Sequence, residues 1–244
     1  MDDFRDKNII ITGAGRGLGK AIADRLTQEN AKVIAFDKYF KNNSEYHQKV
    51  AVDFSNFVLL KKKIQNTINK NKVIHGLVNC AGITLPQKGN NDKLFNNWTR
   101  TIDINLNSVY LFCLLILDNF VKKKTRGKIV NFSSIGGQQG FPENPSYCSS
   151  KGGIQQLTKS LAVDYGRFGI RVNNIVPGYF KTPMNKKSLK SKEKVSARSN
   201  NTCIGRWGEP SEIVEPTLFL LSDSSSYITG SDLVVDGGWL AKGI

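Results

Sequence analysis

The stretch from Asn8 to Leu26, "NIIITGAGRGLGKAIADRL", decides the fold. It opens on an isoleucine run of strand length, passes through a turn holding Thr12, Gly13, Gly15, Gly17 and Gly19, and continues with Ala21, Ile22 and Leu26 on one helical face. Glycines between a strand and a helix permit a tight turn and close approach of backbone to a pyrophosphate, whose charge sits at the helix N-terminus. Glycine spacing by itself is weak evidence, and context strengthens it. Asp37 closes the next apolar run, "KVIAFDK", about twenty residues on, where a carboxylate can accept both ribose hydroxyls of NAD and repels a 2′-phosphate. Arg16 and Lys38 pull toward the 2′-phosphate. The expected cofactor is therefore NAD(H), decided by Asp37, with NADP(H) possible.

Further along the chain, "KVAVD", "HGLVNC", "KIVNFS", "RVNNIV" and "DLVVDGG" follow as apolar runs, separated by ten or more residues that can form helix. Continuous rather than alternating apolar strands belong to a parallel sheet covered on both faces. The expectation is an α/β fold: one Rossmann-type doubly wound domain over residues 1–244, with a seven-stranded parallel sheet and helices on both faces. From about Asn97 to Val121 the helical pattern is apolar all round, so one face packs on the sheet and the other needs a partner. A homo-oligomer, dimer or tetramer, is expected on that helix. Pro216 falls inside "PSEIVEPTLFLLSD" and predicts a kink or a late helix start there.

The net charge of +15 raises nucleic acid as a partner, but the basic residues are scattered and lack interleaved stacking aromatics, so none is expected. The longest apolar run, Val109 to Leu117, is about half the ~20 residues that span a bilayer, so no membrane association is expected. The start is acidic where a secretory signal would be basic. Cys80, Cys113, Cys148 and Cys203 are widely spaced, consistent with reduced thiols and a cytoplasmic location. The two histidines, His47 and His75, have no metal-ligand partner at useful spacing, and no metal is expected.

"SYCSSKGG", Ser146 to Gly153, places a lysine one helical turn from a tyrosine, so Lys151 and Tyr147 share a face. A nearby cation favours the phenolate and lowers the tyrosine pKa toward the working range. Such a tyrosine can move a proton on a substrate oxygen.

Together these motifs resemble the short-chain dehydrogenase/reductase family over essentially the whole chain, and in particular its 3-oxoacyl-carrier-protein reductase-like members. The matching elements are Thr12, Gly13, Gly17 and Gly19, then Asn79, Ala81 and Gly82 with Cys80 replacing the more usual residue. Asn105 in "IDINLNS", Ser134 in "IVNFSSIGG", Tyr147 with Lys151, and Pro177, Gly178 and Thr182 in "PGYFKTPM" follow in order. The resemblance implies a catalytic set of Asn105, Ser134, Tyr147 and Lys151. It also implies cofactor contacts from Gly13, Arg16, Gly17, Leu18, Gly19 and Asp37, with Asp53 and Phe54 flanking the adenine. Asn79, Ala81 and Gly82 would line the ribose side, Lys151 would bind the nicotinamide ribose beside Tyr147, and Pro177, Gly178 and Thr182 would meet the nicotinamide end. Ser134 is selected over Ser133 by the family spacing, and Asn105, mid-helix, would anchor a water that passes protons to Lys151.

The segment near 183–205 stands where the family closes a lid over its substrate. Its Lys186, Lys187, Lys190, Lys192, Lys194 and Arg198 suggest an anionic substrate, sugar-like or carrier-bound, or else a solvated helix face. The expected function is alcohol/carbonyl oxidoreduction on a small molecule. The alternatives are a 3-oxoacyl-[acyl-carrier-protein] reductase and a non-catalytic nucleotide-binding scaffold.

Overall fold

The computed structural model describes residues 4–40, 45–85 and 87–242. Seven parallel strands form one sheet: β1 (Asn8–Thr12), β2 (Lys32–Asp37), β3 (Gln48–Ala51), β4 (Gly76–Asn79), β5 (Lys128–Phe132), β6 (Arg171–Pro177) and β7 (Asp232–Val235), in the spatial order β3-β2-β1-β4-β5-β6-β7. All seven apolar runs named above are strands. The helices are α1 (Gly17–Gln28), α2 (Phe57–Asn71), α3 (Asn91–Ile102), α4 (Ser108–Lys122), α5 (Pro145–Tyr165), α6 (Lys186–Leu189), α7 (Lys192–Asn200), α8 (Val214–Leu221) and α9 (Trp239–Lys242).

Ile9, Ile11, Val33 and Ala35 face one core with Ile22 and Leu26 of α1 and Leu218 and Leu221 of α8. Ile10, Ile34 and Leu77 face the other, against Leu60 and Ile64 of α2 and Phe112, Ile116 and Phe120 of α4. Alternate residues of one strand thus enter opposite cores, which is why the strands read as unbroken apolar runs. The connection from β2 to β3 departs from the expected alternation, for its described residues form no helix.

The apolar helix begins earlier than the sequence suggests, at Asn91, where the Asn90 side chain accepts from the Lys93 amide. Asn91–Lys122 is one helical run of 32 residues, long and apolar enough by length and composition to cross a bilayer. Burial of Phe112, Cys113, Ile116, Leu117 and Phe120 in the sheet's core accounts for much of that apolarity. Pro216 lies in the first turn of α8, behind the short 3-10 turn Pro210–Ile213, so the helix starts late, where a missing amide hydrogen costs nothing.

A polar row crosses the sheet near its carboxyl edge. Asn79, Asn131, Asn174 and Asp232 are in register on β4 to β7. Asn79 Nδ2 donates to Asn131 Oδ1 (2.8 Å), Asn131 Nδ2 to Thr158 Oγ1 of α5 (2.8 Å), Thr158 Oγ1 to Asn174 Oδ1 (2.7 Å), and Asn174 Nδ2 to Asp232 Oδ1 (2.6 Å). This chain of buried bonds ties α5 to one register of the strands.

Candidate active site

Strand order reverses between β1 and β4, and at such a switch point the strands' carboxyl ends leave a crevice for a ligand. The Thr12 hydroxyl accepts from the amides of Cys80 and Ala81, both at 3.1 Å, and so joins the ends of the two strands. Gly13 turns with φ +73°, and a Cβ there would lie 2.9 Å from the Ala81 backbone. A Cβ on Gly19 would collide with the Gly13 carbonyl. Helix α1 then starts with no side-chain cap on its first amides and no acidic residue in its first turn. An uncapped helix start behind a cradle that only glycine permits has the donors a pyrophosphate needs.

Asp37 is held in place by this same turn. Its Oδ2 accepts from the Gly15 amide (2.8 Å) and its Oδ1 from the Lys38 amide (2.6 Å). Lys38, expected to reach toward a 2′-phosphate, instead pairs with Asp53 at 2.7 Å. The Lys38 ammonium, with the amide and hydroxyl of Ser55, holds the Asp53 carboxyl well below the usual carboxylate range. Arg16 is exposed and Leu18 half-buried beside the glycines. The Phe54 side chain, expected beside the adenine, lies in the core with its ring 6.1 Å from that of Phe112. Gly178 packs against Asp236 after Pro177, and Thr182 reaches back to the first turn, 3.7 Å from where a Gly17 Cβ would stand. The fit to a dinucleotide is thus carried by the cradle, by the oriented Asp37 and by Asn79 Oδ1, a buried acceptor without a partner among the described residues.

Asn105 lies in a π-helical turn, Asp103–Asn107, between α3 and α4. The position is mid-helix, as expected, within the run from Asn91 to Lys122, and the turn there is π-helical. Its fully buried side chain clamps the chain after β4, with Oδ1 accepting from the Ile83 amide (2.8 Å) and Nδ2 donating to the Ile83 carbonyl (2.9 Å) and to Ser150 Oγ (3.1 Å). An inserted residue in the helix turns the amide toward both partners, a use typical of π-bulges at functional sites. A Cβ added to Gly82 would be 3.4 Å from Asn105 Oδ1 and 3.5 Å from Lys151 Nζ, so these three meet at one point.

Ser134 and Ser133 divide their tasks. Ser133 Oγ donates to the Lys151 carbonyl (2.9 Å) and braces α5. Ser134 caps the short 3-10 turn Ile135–Gly137, accepting from the Gly136 amide (3.1 Å), and stands close enough to the Tyr147 side chain to favour its phenolate. Tyr147 is in the first turn of α5, half-buried.

The expected lowering of the Tyr147 pKa is not what the site does on its own. Burial dominates and pushes the phenol above its ordinary value, with Ser134 pulling the other way. Lys151 Nζ stands 5.8 Å from the Tyr147 ring centroid and donates to the Phe132 carbonyl at 2.7 Å. Burial lowers its pKa to about 8. The ammonium therefore keeps most of its charge at pH 7 and begins to lose it near pH 8, and it stands at the point shared with Gly82 and Asn105.

Sequence reasoning did not single out the aromatic wall beside this group. Tyr179, within "PGYFKTPM", has ring centroids at 6.2 Å from Phe141, 5.2 Å from Trp207 and 4.9 Å from Trp239. Its place between Gly178 and Thr182 was the available signal. Among the described residues no group of three His, Cys, Asp or Glu side chains could hold a metal.

Residues 13–240 match the family model described as enoyl-(acyl carrier protein) reductase. The chain is 32% identical to 3beta-hydroxysteroid dehydrogenase 1 of Eggerthella lenta, covering 97% of this chain and 95% of that protein. It is 34% identical to cyclopentanol dehydrogenase of Comamonas sp., covering 99% and 100%. A solved structure of 4-hydroxyisoleucine dehydrogenase complexed with NADH superposes with a TM-score of 0.90 at 31% identity, covering 97% and 99%. The chain belongs to the short-chain dehydrogenase/reductase family. It is a dehydrogenase of that family acting on CH–OH groups, and its relatives use nicotinamide cofactors.

Proposed function

We propose that this protein interconverts a secondary alcohol and its ketone, with NAD(H) preferred over NADP(H), on a small polar substrate that is anionic or sugar-like. The carrying observation is the meeting of Ser134, which favours the Tyr147 phenolate, with the buried Lys151 ammonium 5.8 Å from the Tyr147 ring. Bound nicotinamide supplies or accepts the hydride. In oxidation Tyr147 takes the proton from the substrate hydroxyl; in reduction it returns one to the carbonyl oxygen. Ser134 donates to that oxygen as negative charge develops. Lys151 would bind the ribose and, when charged, favour the phenolate; the Phe132 carbonyl holds it, and Asn105 meets it beside Gly82. Asp37, fixed by the Gly15 amide, supports NAD, and the Lys38–Asp53 pair adds to this by occupying the nearest cation.

The substrates named for the relatives, a 3β-hydroxysteroid, cyclopentanol and 4-hydroxyisoleucine, share a secondary alcohol, which fits the reading. The segment near 183–205, built of α6 and α7, would act as the lid. The four cysteines are free thiols, in keeping with a cytoplasmic protein. The aromatic and aliphatic face of α4 and α5, with Leu114 44% and Val163 82% exposed, suits a homo-oligomer.

The test is a panel of alcohols and ketones followed by nicotinamide absorbance, with NAD(H) and NADP(H) in parallel, on wild type and Tyr147→Phe. Turnover on some member, abolished in the variant while cofactor titration is unchanged, is expected. Turnover that survives in the variant would remove Tyr147 from the mechanism. A second reading, reduction of a 3-oxoacyl group on an acidic carrier protein, draws on the exposure of Lys186, Lys187, Lys190, Lys192 and Lys194. It requires carrier-bound substrates to outperform the free acyl forms in a salt-sensitive way.

A further inference from the structure

The basic residues of the 183–205 segment are not alike. The five lysines named above are exposed, whereas Arg198, near the end of α7, is turned inward. Its guanidinium lies 4.5 Å over the Tyr179 ring and 5.6 Å from that of Trp207. Trp207 is in turn fixed by donating to the Val195 carbonyl of α7 at 3.3 Å. Neighbouring cations have carboxylate partners: Lys181 pairs with Glu209, and Arg206 with Glu212. Among the described residues no carboxylate pairs with Arg198, and its Nη1 is buried with no hydrogen-bond partner.

A guanidinium keeps its charge at any working pH, so it cannot escape that penalty by shedding a proton. An unmet buried donor on a charged group is costly, and a planar fork with a free edge matches a carboxylate. The cluster is also continuous with the reacting group. Phe141 stacks on Tyr179, and a Cβ on Gly136 would stand 2.9 Å from the Phe141 ring and 3.3 Å from that of Tyr147.

We propose that Arg198, stacked over Tyr179, binds a carboxylate on the substrate, so that the natural substrate is a hydroxy or oxo acid whose body lies along Tyr179 and the neighbouring rings. This rests on the oxidoreductase reading of Tyr147. The exposed lysines are then not the anion site.

Two measurements test it on the NAD(H)-loaded protein. In thermal unfolding, cyclohexanecarboxylate is expected to raise Tm, cyclohexanecarboxamide much less, and Arg198→Met to abolish the difference while Arg198→Lys keeps part of it. In turnover, 3-oxocyclohexanecarboxylate is expected to have a lower KM than its methyl ester, a preference that Arg198→Met erases by roughly 10- to 100-fold, mainly in KM. Equal stabilisation by acid and amide in the wild type, or an acid preference undiminished in Arg198→Met, overturns the proposal. So does a loss confined to Lys187→Met or Lys190→Met. Carboxylate stabilisation through Arg198 without turnover of either ketone would support Arg198 and count against the oxidoreductase reading; equal turnover of acid and ester would do the reverse.

Discussion

Lys151 Nζ donates to the Phe132 carbonyl at the end of β5, 2.7 Å away, and not to the phenol one helical turn before it. The pair thus has an order of events. The strand end holds the ammonium in place; its influence on Tyr147 depends on its charge, and burial lets that charge go at a pKa of about 8. Tyr147 itself is raised by burial, so it keeps its proton through neutral pH.

The sign of the pH dependence follows. In reduction the protonated Tyr147 is the required form and is already present near pH 7. The value of kcat/KM for reduction should therefore be level from pH 6 to 7 and fall above pH ~8 as Lys151 loses its charge, since this ratio reports the free enzyme. Oxidation needs the phenolate and should climb with pH over the neutral range. Initial-rate profiles in both directions check this. A reduction profile flat to pH 10 would mean that the Lys151 charge is not used.

Much of this site is legible in the amino-acid sequence alone. The five inner strands show because they are buried on both faces, and the edge strands β3 and β7 show by their short apolar runs although they are only partly covered. Gly13, Gly17, Gly19, Tyr147 and Lys151 show because local spacing alone dictates their geometry. What does not show depends on partners remote in sequence. The π-helical turn at Asn105 is imposed by bonds to Ile83 and Ser150, and the raised Tyr147 pKa by the walls around it. Arg198 reads as one more cation of a basic segment until the chain brings Tyr179 under it.

Lys38 and Asp53 meet at the carboxyl ends of β2 and β3, and their pairing makes a cofactor prediction. Asp53→Asn should release Lys38 toward a 2′-phosphate and tighten NADPH binding several-fold, with little change for NADH, as befits an exposed pair. The gain should fade at high salt. Fluorescence titration of both reduced cofactors is the measurement. An equal change for the two would assign Asp53 to the shared adenine and not to the 2′ position. Asp37→Ser, which removes the carboxylate itself, should shift the ratio further.

The asparagine row carries a stability prediction. Asn131 is fully buried, accepts from Asn79 and donates to Thr158. Asn131→Ala removes one bond from each partner, leaving Asn79 with Cys113 Sγ and Thr158 with Asn174, at about 1–3 kcal/mol for a buried polar group left unmet. Chemical denaturation should show a lower midpoint with an unchanged m-value. Because Asn79 and Thr158 steady the end of β4 and the α5 helix that bears Tyr147, cofactor affinity should fall as well. A variant as stable as wild type would show that the row fixes register without adding stability.

The last prediction concerns the helices that flank the site from outside. Leu114 and Leu115 of α4, Val163 of α5 and Phe168 just beyond it line an open groove together with Asp118, Asp164 and Arg167. An apolar strip with a charged border on paired helices resembles an interface that lacks its other half. Since α5 also holds Tyr147 and Lys151, pairing there would stiffen the catalytic helix from its far side. Leu114→Glu with Val163→Glu should place like charges across a two-fold contact and shift sedimentation velocity toward the monomer, with a lower Tm at equal protein concentration. Wild-type protein that sediments as a monomer at micromolar concentration would remove this surface as an interface. A double variant that remains fully assembled would move the contact elsewhere.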